Sequence, residues 1–181
     1  MNKSEMLRAL ARKNGVCGKW YDEWEDNCTE DELVYKFVEG QNFCSRYDYP
    51  GIDIIRSFSD NVLLSHNVFC DKQGSLHNPT DELTQKRFII CGDSDLDVML
   101  DGYTIADIFI YHNSKVRIVC KNHAICFVTT IGKPNVSIIN ESLNKVCVYN
   151  HSQDALISHI GNVKYYDKTE HGKSVSINTI K

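Results

Sequence analysis

Ile105–Tyr165 is the stretch whose reading decides the fold. In blocks of ten it runs IADIFIYHNS, KVRIVCKNHA, ICFVTTIGKP, NVSIINESLN, KVCVYNHSQD, ALISHIGNVK and a final Tyr165. Apolar side chains alternate within the blocks: Ile108-Ile110, Val116-Ile118-Cys120, Cys126-Val128, Val136-Ile138 and Val146-Val148. Asn, Gly, Ser and Pro separate them. Alternation over so few residues predicts half-buried β-strands. The same inward parity, extended to His112, Thr130, Asn140 and Asn150, recurs at about ten residues and predicts an internal repeat of two strands. On a period of about twenty residues, Ile108, Val128 and Val148 stack, as do Ile118 and Ile138.

A β-solenoid buries such columns in a narrow continuous core and turns its corners at Asn or Gly, here Asn113, Asn122, Gly132 and Gly161. The alternative is an antiparallel β-sandwich, which regular short strands also describe. Tight hairpins want Asn-Gly or Asp-Gly, and the repeat has neither; Asp101-Gly102 precedes it. The chain is therefore expected to be α+β, with a small helical unit followed by a short C-terminal β-solenoid.

Working towards the N-terminus, Phe88-Ile89-Ile90-Cys91 reads as a buried strand and Val68-Phe69-Cys70 as a short one. Gly74, Asn78 and Pro79 mark a loop between them. Thr29 with Glu32 is a capping box that opens a helix with Leu33, Val34, Phe37 and Val38 on one side. Ser4 is the expected cap of a first helix carrying Met6, Leu7, Leu10 and Ala11. Pro50 stops any helix reaching it. These signals predict a helical region with a connecting loop over residues 1–85 and a repetitive β domain over 86–181.

Composition adds boundaries. Apolar content of 42%, charged content of 24% and mean hydropathy of −0.34 describe an ordinary globular protein. No apolar run approaches the roughly 18 residues of a membrane span, and no apolar leader core follows Met1, so no membrane association and a cytoplasmic location are expected. The eight cysteines are scattered without the two-residue spacing of zinc ligands, and several replace Val or Ile in strand patterns. Free, mostly buried thiols follow from that. Formal charge is −4, but residues 21–102 concentrate the acids. An acidic middle repels phosphate, and the capped helix presents Glu30, Asp31, Glu32 and Glu39 where a DNA-reading helix needs donors.

The run Glu39-Gly40-Gln41-Asn42-Phe43-Cys44, with Trp24 before it, Tyr49-Pro50 after it and Asp101-Gly102-Tyr103 ahead of the strands, resembles a family of uncharacterised proteins encoded by gut anaerobes and their mobile elements. That resemblance implies a short helical N-terminal part joined to a repetitive all-β part, and no activity.

Candidate chemistry is sparse. Asp93, Asp95 and Asp97 would share one face of a strand and offer oxygens to a hard cation, but the EF-hand positions hold Val98 and Thr104 instead of Gly and Glu. A solvated strand face is the better account, and no metal or cofactor is expected. Trp20 and Trp24 lie one helical turn apart, as ligand platform or as core anchors. Lys115, Arg117, Lys121 and Lys145 compose a possible basic face for nucleic acid or nucleotide. Cys120, His123 and Cys126 are the residues from which a Cys/His enzyme would be built, though Cys120 keeps inward parity. Gly172-Lys173-Ser174 lacks the earlier Gly of a phosphate loop, and no nucleophile elbow occurs. The expected role is non-catalytic: a binding or scaffold module with a protein partner or a second copy, with the nucleic-acid binder and the Cys/His enzyme as alternatives.

Overall fold

A computed structural model describes residues 2–78, 83–169 and 177–179. The chain forms two compact units, Met1–Val68 and Phe69–Lys181. The first holds six short helices: α1 (Lys3–Lys13), α2 (Gly18–Asp22), α3 (Glu30–Glu39), α4 (Gln41–Tyr47), α5 (Ile52–Arg56) and α6 (Asp60–Ser65). Thr29 caps α3 as expected. Its Oγ1 accepts the Glu32 N–H while the Glu32 carboxylate accepts the Thr29 N–H, and Leu33, Val34, Phe37 and Val38 are buried. Gly40 closes α3 and stands at the start of α4.

At α1 the structure corrects the expected cap. Asn2, not Ser4, caps it: Asn2 Oδ1 accepts the Glu5 N–H at 2.8 Å, and Glu5 Oε2 accepts the Asn2 N–H at 2.9 Å. With the cap supplied by that Asn-x-x-Glu box, Ser4 is free to turn inward. Its hydroxyl donates to the Glu25 carbonyl at 2.7 Å and accepts Trp24 Nε1–H at 3.1 Å. Tyr49, also buried, donates to the Leu7 carbonyl at 3.0 Å.

The second unit is a β-solenoid of about five turns. Its strands are β1 (Val68–Cys70), β2 (Gln73–Asn78), β3 (Thr84–Cys91), β4 (Asp95–Leu100), β5 (Thr104–His112), β6 (Lys115–Asn122), β7 (Ile125–Gly132), β8 (Asn135–Ser142), β9 (Val146–Asn150), β10 (Leu156–Gly161), β11 (Val163–Asp167) and β12 (Ile177–Thr179). Odd strands β1 to β11 make one sheet and even strands β2 to β12 the other. Parallel ladders join β3 through β11 and β2 through β12, which excludes the hairpins of a sandwich.

Register gives the period directly. Thr84 pairs with Thr104, Ile105 with Ile125 and Lys115 with Asn135, so one turn takes twenty residues. The expected columns Ile108–Val128–Val148 and Ile118–Ile138 are present, one on each sheet, and each extends a rung further, to Phe88 and to Val98, buried between the sheets. The period breaks at the C-terminal end, where Asn135 pairs with Leu156 and Val146 with Val163. There Ile138 gives way to His159 and Val148 to Tyr165, while Val136–Ile157 and Val146–Val163 stay apolar. In the column Ile110–Thr130–Asn150 the buried amide is bonded at both its oxygen and its nitrogen: Thr130 Oγ1 donates to Asn150 Oδ1 at 2.6 Å and Asn150 Nδ2 donates to the Ser152 carbonyl at 2.6 Å.

Two expectations differ from the structure. His112 does not continue the inward series; it sits at a corner with φ of 60°, and the inward place on β5 belongs to Ala106, level with Cys126. Residues around Gly74 are a strand, not a loop, because the β2 backbone pairs with β4 from Gln73 through Asn78 although only Leu76 contributes apolar bulk. Pro79 lies outside the described residues. At the corners Gly132 has φ of 85°, and a side chain there would come within 2.9 Å of the His112 backbone nitrogen, so both conformation and space demand glycine.

Candidate functional site

Residues between the core positions of each strand face outward, because successive side chains alternate across a sheet. On the outer face of the even sheet this places Asp95 and Asp97 of β4 directly beside Lys115 and Arg117 of β6, in register as Asp95–Lys115 and Asp97–Arg117. All four are exposed. None makes a side-chain hydrogen bond or an ion pair among the described residues. The next rung is neutral, with Asn135 and Ser137 following Lys115 and Arg117. An apolar file, Met99–Val119–Ile139–Ile160, runs alongside, ending on an Ile160 that is 44% exposed.

Two of the three acids and two of the four cations singled out from the sequence therefore meet on one face. Asp93 is not part of it: it lies in the turn before β4, where its Oδ1 accepts from Asn113 Nδ2 at 3.2 Å. Lys121 is on β6 with Glu141 beside it, and Lys145 stands in the connection leading to β9, on the way to the other sheet. The four cations do not form one patch, and a phosphate reaching Lys115 or Arg117 would also meet Asp95 and Asp97. Among the described residues no group of three His, Cys, Asp or Glu side chains is placed to hold a metal ion. Gly172-Lys173-Ser174 lies outside the described residues.

Cys120 and Cys126 are buried in the core between the sheets. Hydrogen bonding to Cys120 and burial push the Cys126 thiol well above its ordinary value, the opposite of what a nucleophile requires. His123 lies on the surface at the β6–β7 corner, its ring stacked on Tyr103 at 4.7 Å and 3°. Sequence proximity does not bring these three into one accessible site. At the same corner Asp101 is held below its ordinary value by the Gly102 N–H and by Asn122 Nδ2. Tyr103 and Leu143 are exposed there, and the twenty-residue period would have aligned them with His123.

The tryptophans divide their roles. Trp24 is a buried anchor bonded to Ser4, while Trp20 meets it edge-on at 5.6 Å and is half-buried. Trp20, Phe43, Tyr47, Arg46 and Cys17 border an open pocket of about 370 Å³ on the helical unit. Gly40 lies against the Trp20 ring, where a Cβ would stand 2.7 Å from it. Glu39 and Asn42 join Arg46 in the pocket's lining.

All eight cysteines are free thiols, five of them buried. No described helix is long and apolar enough to cross a membrane. No protein-family model, curated protein or solved structure matches the chain.

Proposed function

We propose that this chain is a non-catalytic binding or scaffold module, acting through protein contact in the cytoplasm. The observation that carries the reading is the outer face of the even sheet. It presents exposed charged side chains at regular spacing on a parallel ladder, beside an apolar file in which Val119 is buried, Met99 and Ile139 are half-buried and Ile160 is exposed. Rows of alternating chemistry on a flat scaffold suit recognition of another macromolecular surface, where charge sets register and apolar area supplies affinity. Free thiols support a reducing compartment. Affinity purification of the tagged protein from its own host, followed by native mass spectrometry, tests the reading. Co-purification of a stoichiometric protein, or of a second copy, is expected. Recovery of a monomer carrying only a small molecule or nucleic acid would contradict it.

A further inference from the structure

Resting on that reading, we infer that the partner of the even sheet's outer face is a second copy of this chain, docked about a two-fold axis parallel to the strands and midway between β4 and β6. The face is self-complementary in that one arrangement. Rotation about such an axis lays β4 of each copy over β6 of the other while keeping positions along the strands. Asp95 then faces Lys115 of the second copy and Asp97 faces its Arg117. Each contact occurs twice, as an isologous interface requires.

Rungs lie about 4.8 Å apart, so the axis sits between neighbouring rows and no strand has to shift. One rung further out, Asn135 and Ser137 of β8 would cover Gln73 and Ser75 of β2, so no like charges are brought together. A two-fold axis along the stacking direction would instead set Asp95 and Asp97 against their own copies and Lys115 and Arg117 against theirs, which repulsion disfavours. The register thus selects the axis as well as the partner.

Within one chain these charges already lie side by side, yet none of the four is engaged. Adjacent exposed pairs on one surface gain little in water. Facing a second copy, each carboxylate meets an opposed cation across a partly dehydrated gap, where screening is weaker.

Sedimentation velocity of the full chain over a concentration series, at low and high salt, tests this. A dimer that weakens with salt is expected. D95N/D97N and K115D/R117D should each weaken it by about tenfold or more. The fourfold exchange D95K/D97K/K115D/R117D keeps net charge and should restore the dimer. Mixed with wild type, that exchange variant should form no heterodimer, because like rows then face each other. Far-UV circular dichroism establishes that each variant is folded. The neutral D95N/D97N variant keeps the test valid should a reversal fail to fold. A wild type that stays monomeric throughout, a dimer indifferent to D95N/D97N, or an exchange variant that pairs freely with wild type would overturn the inference. If a monomeric wild type still captures a host protein, the second copy is wrong and the protein-contact reading stands. If it captures none, both fall.

Discussion

The helical unit and the solenoid are written in the same alphabet by different rules. Each principal helix carries its own start signal, as with Asn2-x-x-Glu5 and Thr29-x-x-Glu32, and is fastened by single tertiary bonds such as Trp24 to Ser4 and Tyr49 to Leu7. No strand of the solenoid specifies itself in that way. Ile118 is placed by Val98 and Ile138, twenty residues to either side, and each rung borrows its burial from two neighbours. Stability in the first unit is distributed over local devices, and in the second it is held in common.

The strongest way to break this contrast is in the shared core. Ile118→Ala should destabilise the solenoid by about 2–5 kcal/mol, since a fully buried side chain between two rungs leaves a cavity that both must tolerate. Denaturant unfolding followed by β-sheet signal measures it; a change below about 0.5 kcal/mol, the scale of a surface substitution, would contradict the stacked core. Asn150→Ala comes next, at about 1–3 kcal/mol, because Thr130 Oγ1 and the Ser152 carbonyl lose their buried partner. The same unfolding curves report it, and no loss would mean that the polar column is not closed to water.

In the helical unit the effects should be smaller and local. Thr29→Ala removes one reciprocal cap and should cost about 1 kcal/mol, seen as lost helical ellipticity with the β signal retained. Loss of both signals together would blur the distinction between the units.

Acid gives the smallest effect. The Lys3 ammonium first, then the Ser59 N–H, holds Glu30 below its ordinary 4.5, and the Thr29 N–H and hydroxyl do the same for Glu32. A carboxyl with a lowered folded value contributes stability that is complete above 4.5 and is lost as pH falls through that lower value. Asp101, held below an ordinary 3.8, behaves likewise from a lower starting point. Helical signal should therefore begin to decline at a higher pH than β signal. These groups are exposed, so the difference is slight. The reverse order in an acid titration by circular dichroism would contradict it.

How much of this was legible in the sequence depended on which rule applied. Thr29 and Glu32 announce α3 because both halves of the signal are three residues apart. Asn2 went unread because Ser4, an equally good cap by type, stands two residues on. The columns of Ile108, Val128 and Val148 followed from parity and period. β2 did not, since Gln73–Asn78 has one apolar core position and its order comes from backbone pairing with β4. The facing of Asp95 with Lys115 was available from the same twenty-residue offset. Read along the chain, those residues separate into an acidic site and a basic one; read across rungs, they are one surface. Lys145 misled for a related reason: alternation along the chain shows parity within a strand, not which of two sheets the strand enters.

Amide hydrogen exchange, resolved by peptide across both units, tests most directly whether stability is pooled in the repeat. Protection should be greatest in β5 to β8, in the middle of the two sheets, and should fall towards β10 and β11, nearer their ends. The five-residue helices α2 and α5 should exchange well ahead of them. Exchange of β5 to β8 as rapid as that of α2 would contradict it.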